Sequence, residues 1–272
     1  MAPPAALSAV ERAGGTRERT VPAAWDRIEG PAGPLAVHLS QGTSTRGSQA
    51  NVLVMCHGFP VGQDSAERVA ANLPALADRL ALETDWRVLV GCLRGVGASV
   101  GDFSLAGWYE DLRALVAHGA ELGRGGVWVV GFGTGGALGL CVASEDTRVR
   151  GAACFGSPAT FSDWAQDVGG MIEYSRRVGV IRSPGFPSDR RAWSEAFTSL
   201  HPGEAAAALP PRPLLVVHGA EDEEVPVADS RVLADAASPS AELRVLQGAG
   251  HRLRADPRAV ALLAGWLERQ GP

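Results

Sequence analysis

Residues 131–136 read Gly-Phe-Gly-Thr-Gly-Gly, between the apolar run Val127-Trp128-Val129-Val130 and a second apolar stretch from Ala137 to Val142. A strand passing into a helix through so glycine-rich a turn is a place where a nucleophile can be mounted. Here the central residue, Gly133, has no side chain to offer. Two other stretches carry groups suited to moving protons: Glu221-Asp222-Glu223-Glu224 ahead of Val225-Pro226, and His251 after Gly248-Ala249-Gly250. A carboxylate can orient an imidazole, and an oriented imidazole can take a proton from a nucleophile or from water. The cysteines show no metal-ligand spacing, and no metal or other cofactor is expected.

Such groups need a scaffold that gathers strand ends, and the chain alternates β-like with helical runs. Asn51 to Cys56 reads as a buried strand, Ser65 to Leu82 as an amphipathic helix, Trp86 to Val90 as a strand and Leu105 to Glu121 as a helix. Val127 to Val130 is a strand, Ala137 to Ala143 a helix and Val149 to Phe155 a strand. Further on, Pro213 to Val217 leads to a helix over Val227 to Ala237, and Leu243 to Leu246 leads to a last helix over Pro257 to Arg269. This rhythm predicts an α/β fold with a mostly parallel central sheet and helices on both faces. Upstream, Trp25 to Ile28 and Leu35 to Leu39 flank a Gly/Pro turn and suggest an antiparallel hairpin. Residues 159–209 break the rhythm and read as a helical cap, because about 50 residues without structure would be unusual in a compact domain. An extended loop with one or two helices on the rim is the alternative. Residues 1–20 read as a flexible lead-in and 21–272 as one domain.

The chain has 272 residues, 46% of them hydrophobic and 20% charged, with a formal net charge of −5. That balance, with its basic residues scattered, gives no footprint for nucleic acid. Cys56, Cys92, Cys141 and Cys154 lie in or beside apolar runs, as small buried thiols of a reducing compartment would, so a cytoplasmic location is expected. The amino terminus lacks the pattern of a signal peptide. No apolar stretch reaches the roughly 18 residues of a membrane span, so no membrane partner is expected. The expected partner is a small-molecule substrate or ligand, and the sequence carries no sign of oligomeric state.

Five motifs stand in order at strand ends: His57-Gly58-Phe59-Pro60, Arg94-Gly95-Val96-Gly97-Ala98-Ser99, Gly131 to Gly136, Gly219-Ala220-Glu221-Asp222 through Val225-Pro226, and Gly248-Ala249-Gly250-His251. Together they resemble the α/β-hydrolase family, in particular its serine-aminopeptidase-like and esterase-like members, over residues 25 to 270. The resemblance implies an α/β-hydrolase fold and an elbow of the form G-x-S-x-G, with Gly133 at the nucleophile position. Shifting the elbow by one residue would make Thr134 the nucleophile, but Phe132 would then fall two positions before it, where the tight turn needs a small residue. Around Gly133 those neighbours are Gly131 and Gly135. Thr134 therefore falls just after the vacant position, where the family's backbone N–H helps bind an oxyanion, and the resemblance makes Phe59 the second donor.

Asp222 and His251 match the family's acid and base in chain order. Glu221, Glu223 and Glu224 crowd Asp222 and leave the acid open, although Asp222 best fits the spacing to Val225-Pro226. The plainer alternative is an exposed acidic loop and a rim histidine. His57 is expected to support its loop, and Arg94 to pin the glycine-rich turn by backbone hydrogen bonds, contact with a substrate carboxylate being the other option. Gly95 and Gly97 do not complete a dinucleotide fingerprint. Trp164, Tyr174, Phe186 and Trp193 either line a pocket under the cap or form the cap's own core, and Asp163 is expected to be exposed. The expected activity is hydrolase-like, on a small ester, lactone or acyl-type substrate. An Asp222/His251 dyad would activate water without an acyl-enzyme, or serve lyase or proton-transfer chemistry. The alternative is a non-catalytic pseudo-hydrolase that binds a small ligand or a protein partner.

Overall fold

Strands covered on both faces by helices must be apolar along their whole length. Val52–Cys56 (β3) and Val127–Phe132 (β5) meet that demand, every residue being buried. A computed structural model describes residues 25–42 and 50–271 of the chain; the lead-in expected at residues 1–20 lies outside them. The other strands are Asp26–Ile28 (β1), Leu35–Ser40 (β2), Arg87–Gly91 (β4), Val149–Phe155 (β6), Leu214–Gly219 (β7) and Ala241–Leu246 (β8). Among the described residues they form one sheet in the order β1-β2-β4-β3-β5-β6-β7-β8. β1 and β2 make the expected antiparallel hairpin, β2 pairs antiparallel with β4, and every remaining pair is parallel.

The helices are Leu73–Thr84 (α1), Leu105–Leu122 (α2), Thr134–Glu145 (α3), Val168–Arg177 (α4), Arg190–Ser199 (α5), Pro202–Ala207 (α6), Val227–Ala236 (α7) and Pro257–Arg269 (α8). α1 begins eight residues after the expected start at Ser65, since Leu73 is its first residue. Pro74 stands in its first turn, where a missing N–H is tolerated, and residues 66–72 are turns. α3 is longer at both ends than the apolar run Ala137 to Ala143 suggested. Its first turn is Thr134-Gly135-Gly136, and the two glycines are forced by close approach. A Cβ on Gly135 would run into the His57 carbonyl, and one on Gly136 into the Ser157 hydroxyl.

Between β6 and β7 stand a 3-10 turn, Ser162–Ala165, and then α4, α5 and α6. α6 packs against α3 and α7, and α5 against α2 and the 3-10 turn, so much of this segment is built into the body of the domain. Trp193 is buried, donates from Nε1 to the Phe103 carbonyl at 2.8 Å and meets Phe197 edge-on at 5.0 Å. It belongs to the segment's own core. Arg94 differs from expectation. Its guanidinium donates to the wholly buried carboxylate of Asp111 on α2, with Nη2 at 2.7 Å, rather than to the backbone of the glycine-rich turn or to the site.

Candidate active site

The parallel strands β3, β5, β6, β7 and β8 end on one edge of the sheet, where the loops after them meet; ligands of open α/β sheets bind at that edge. Gly133 lies between β5 and α3 with φ 53° and ψ −126°. Its N–H donates to the Phe155 carbonyl at 2.8 Å, which ties the turn to the end of β6. The turn is tight enough that a Cβ on Gly131 would strike the Gly135 and Gly136 backbone. Phe132 points away and packs on Phe155, ring centroids 5.3 Å apart. A Cβ on Gly133 itself would meet only ordinary contacts, with His251 Nε2 at 3.5 Å and Gly58 Cα at 3.7 Å.

His251 comes from the loop after β8 and Asp222 from the loop after β7. His251 Nδ1 lies 2.9 Å from Asp222 Oδ2 and 3.2 Å from Oδ1. Asp222 Oδ1 also accepts the N–H groups of Glu224 at 2.9 Å and Val225 at 3.0 Å. The Asp222 side chain is wholly buried, whereas Glu221, Glu223 and Glu224 are exposed, so the structure brings Asp222 and not its acidic neighbours to the imidazole. Burial alone would raise the Asp222 carboxyl, but hydrogen bonding from His218, His251 and the Val225 N–H outweighs it and holds the group well below the usual carboxylate range.

A carboxyl whose folded value lies below its unfolded value of about 4 contributes stability above that pH and loses it as pH falls through the folded value. Asp222→Asn is therefore expected to lower Tm at pH 7 and to converge on the parent protein in strong acid. Thermal melts between pH 7 and pH 2 check this, and parallel curves would count against it.

His57 is fully buried, accepts the Leu93 N–H at Nε2 (3.0 Å) and donates from Nδ1 to the Gly58 carbonyl (2.9 Å). Burial lowers its pKa to about 4; Gly58 opposes the shift and Arg254 adds to it. The ring is neutral at physiological pH and braces the loop that carries Phe59. The Phe59 ring packs between Phe103 at 4.8 Å and Trp164 at 5.3 Å, which fixes its backbone. Among the described residues neither the Phe59 N–H nor the Thr134 N–H has an acceptor.

Phe59, Gly133, Thr134 and His251 share one cavity of about 250 Å³. Its walls include Pro158, Trp164 and Val225, with the carboxylates of Asp163, Glu224 and Asp229. Trp164 is thus the one of the four expected aromatics on this lining, and Asp163 is both exposed and part of it. A second cavity of about 10 Å³ touches Gly58, Phe132, Gly133 and His251, room for one water molecule. Among the described residues His251 Nε2 has no protein hydrogen-bond partner.

Sequence reasoning missed His218. It stands at the end of β7 with Nε2 3.3 Å from Asp222 Oδ2, four residues before the acid. That spacing, a histidine closing an apolar strand just ahead of an acidic loop, was the signal available. Gly156 was missed as well: a Cβ there would lie 3.2 Å from Asp222 Oδ2 and 3.4 Å from His251 Nδ1, so its bareness lets the dyad settle onto the end of β6.

A model of a family described as "Alpha/beta hydrolase family" matches residues 53–262. No curated protein matches the chain in sequence. In fold it is similar to an alpha-beta serine hydrolase homologue from Coxiella burnetii, with 21% identity and a TM-score of 0.61 over 94% of this chain and 100% of that one. It is also similar to the alpha/beta hydrolase GrgF from Penicillium sp. sh18, with 18% identity and a TM-score of 0.68 over 92% and 99% of the two chains. Est1E from Butyrivibrio proteoclasticus shares the fold at 15% identity, TM-score 0.66, over 90% and 96%. Among the described residues no helix is long and apolar enough to cross a membrane. With that family's model matched over residues 53–262, more than half its length, the chain belongs to the alpha/beta hydrolase family.

Proposed function

We propose that the protein hydrolyses a small ester, lactone or similar acyl compound with water in place of a side-chain nucleophile. One observation carries this reading: His251, oriented by Asp222 at 2.9 Å, faces Gly133 across a gap that holds no side chain. A water there would give a proton to His251 Nε2 while its oxygen attacks the carbonyl carbon. The Phe59 and Thr134 N–H groups supply donors for the oxyanion that forms. On collapse of the tetrahedral intermediate, the acyl–oxygen bond to the leaving group breaks and His251 Nε2–H returns the proton to the departing alkoxide, leaving acid and alcohol. Asp222 stays ionised and holds the Nδ1–H throughout.

The ionisable groups of the lining other than His251 are acidic, which supports a neutral acyl substrate over an anionic one. A cytoplasmic setting belongs to the same reading, supported by four free, buried cysteines. Turnover should be slow, because a missing serine nucleophile costs a serine hydrolase about a million-fold. With a short activated ester, product should form without a burst, and a fluorophosphonate probe should leave no adduct detectable by mass spectrometry. A burst, or an adduct on Thr134, would overturn the reading.

A further inference from the structure

Asp222 is shared by two imidazoles. His218 lies on β7, wholly buried, with Nε2 3.0 Å from the Val225 carbonyl and 3.3 Å from Asp222 Oδ2. Its Nδ1 is buried and has no partner among the described residues, so the ring proton belongs on Nε2, where two acceptors converge. The hydrogen bond itself goes to the Val225 carbonyl, and Asp222 Oδ2 stands 3.3 Å from the same nitrogen as a longer, second charge contact. The second oxygen is the one that His251 Nδ1 approaches most closely, at 2.9 Å.

A carboxylate strengthens a neighbouring imidazole's hold on a proton in proportion to the charge it can direct there. Asp222, taken out of water, would direct all of it at His251 unless other donors drew some away. The Glu224 and Val225 N–H groups draw on Oδ1. His218 is the donor placed to draw on Oδ2. A general base must be free of its proton when water arrives, so a dyad that holds a proton too tightly works only at higher pH.

We propose that His218 is a positioning residue for the reaction: its Nε2–H shares Asp222 Oδ2 with His251 and so limits how tightly the dyad holds a proton. This rests on the general-base reading above, but the contact can be tested without turnover. His251 also faces Asp163, Glu224 and Asp229 across the pocket, Glu221, Glu223, Arg252 and Asp256 along the adjoining groove, and Asp64 with Arg254 beside the small cavity. All of these stay in place when His218 alone is changed, so a difference between variants isolates His218.

The measurement is an NMR titration of the His251 ring in the resting protein, together with the position of its Nδ1–H resonance. His218→Phe, similar in volume and lacking the donor, should raise the His251 midpoint by about half a unit to one unit, a part of the roughly one to two units that a full charge-assisted hydrogen bond amounts to. The Nδ1–H resonance should move downfield. His218→Gln, whose side-chain amide can place an N–H near Nε2, should return both toward the parent values. If the Phe variant does not fold, His218→Met makes the same comparison with a more adaptable side chain. A midpoint unchanged or lowered in a folded variant lacking the donor would overturn the proposal. A raised midpoint in a protein with no hydrolase activity would uphold this contact and sink the proposed function alone.

Discussion

Gly133→Ser is expected to give a protein that hydrolyses short activated esters at least about a hundredfold faster than its parent and reacts with a fluorophosphonate at residue 133. A nucleophile contributes roughly a million-fold to a serine hydrolase, so even a partial return is large. The expectation comes from distances. A Cβ at this position sits 3.5 Å from His251 Nε2 and its nearest backbone neighbour is Gly58 Cα at 3.7 Å, so a hydroxyl one bond further out can reach the imidazole without moving the chain. His251 is already turned by Asp222, and the Phe59 and Thr134 N–H groups are still free of acceptors among the described residues. The opposing term is backbone strain: a side chain at φ 53° and ψ −126° costs about 1–3 kcal/mol. The variant should therefore melt a few degrees lower while gaining activity. A folded variant that neither labels nor hydrolyses would mean that acid, base and donors are not arrayed for acyl transfer.

The same residues show how far the sequence could be read. The alternation of apolar runs was enough for the sheet and its parallel sense, because β3, β5 and β6 are almost entirely apolar and little else can be done with such segments. The expectation that Gly133 stands at the elbow position rested on glycines two residues to either side, and a Cβ on Gly131 would indeed collide with the backbone of the turn. The pairing of Asp222 with His251 was legible only by likeness to a family, and the spacing to Val225-Pro226 favoured Asp222 among four neighbouring acids without settling the choice. What chose was burial, since one of the four side chains is withdrawn beneath the imidazole while the other three stay in solvent.

Features that depend on long-range contact were harder to read. Arg94 meets Asp111 across 17 residues, and nothing local marks a guanidinium that will find a buried carboxylate on the next helix. His218 sits in an apolar strand and looks like a core histidine from its neighbours. Its role depends on the turn from β7 into the following loop, which returns Asp222 to within 3.3 Å of it. Trp164, Tyr174, Phe186 and Trp193 could not be sorted from sequence either. Their division between pocket wall and interior depends on how the segment after β6 packs on α2, α3 and α7.

His251→Ala is the reciprocal test, and in the parent protein it should lower ester hydrolysis by about a hundredfold to ten-thousandfold, the range for a positioned general base. The change should leave the fold intact. The ring is partly exposed, 17% of its side-chain surface being accessible, and its hydrogen bonds go to Asp222, which keeps the Glu224 and Val225 N–H groups as donors. A loss of rate with an unshifted circular dichroism spectrum would therefore report on proton transfer rather than on folding. The truncation also opens a space beside the pocket wall, so imidazole added to the buffer should recover part of the rate, and the recovery should rise with the fraction of free base. A parent-like rate in the Ala variant would assign the hydrolysis to another group. If the rate falls but added imidazole restores nothing, then His251 contributes by shaping the pocket, and water is being activated elsewhere.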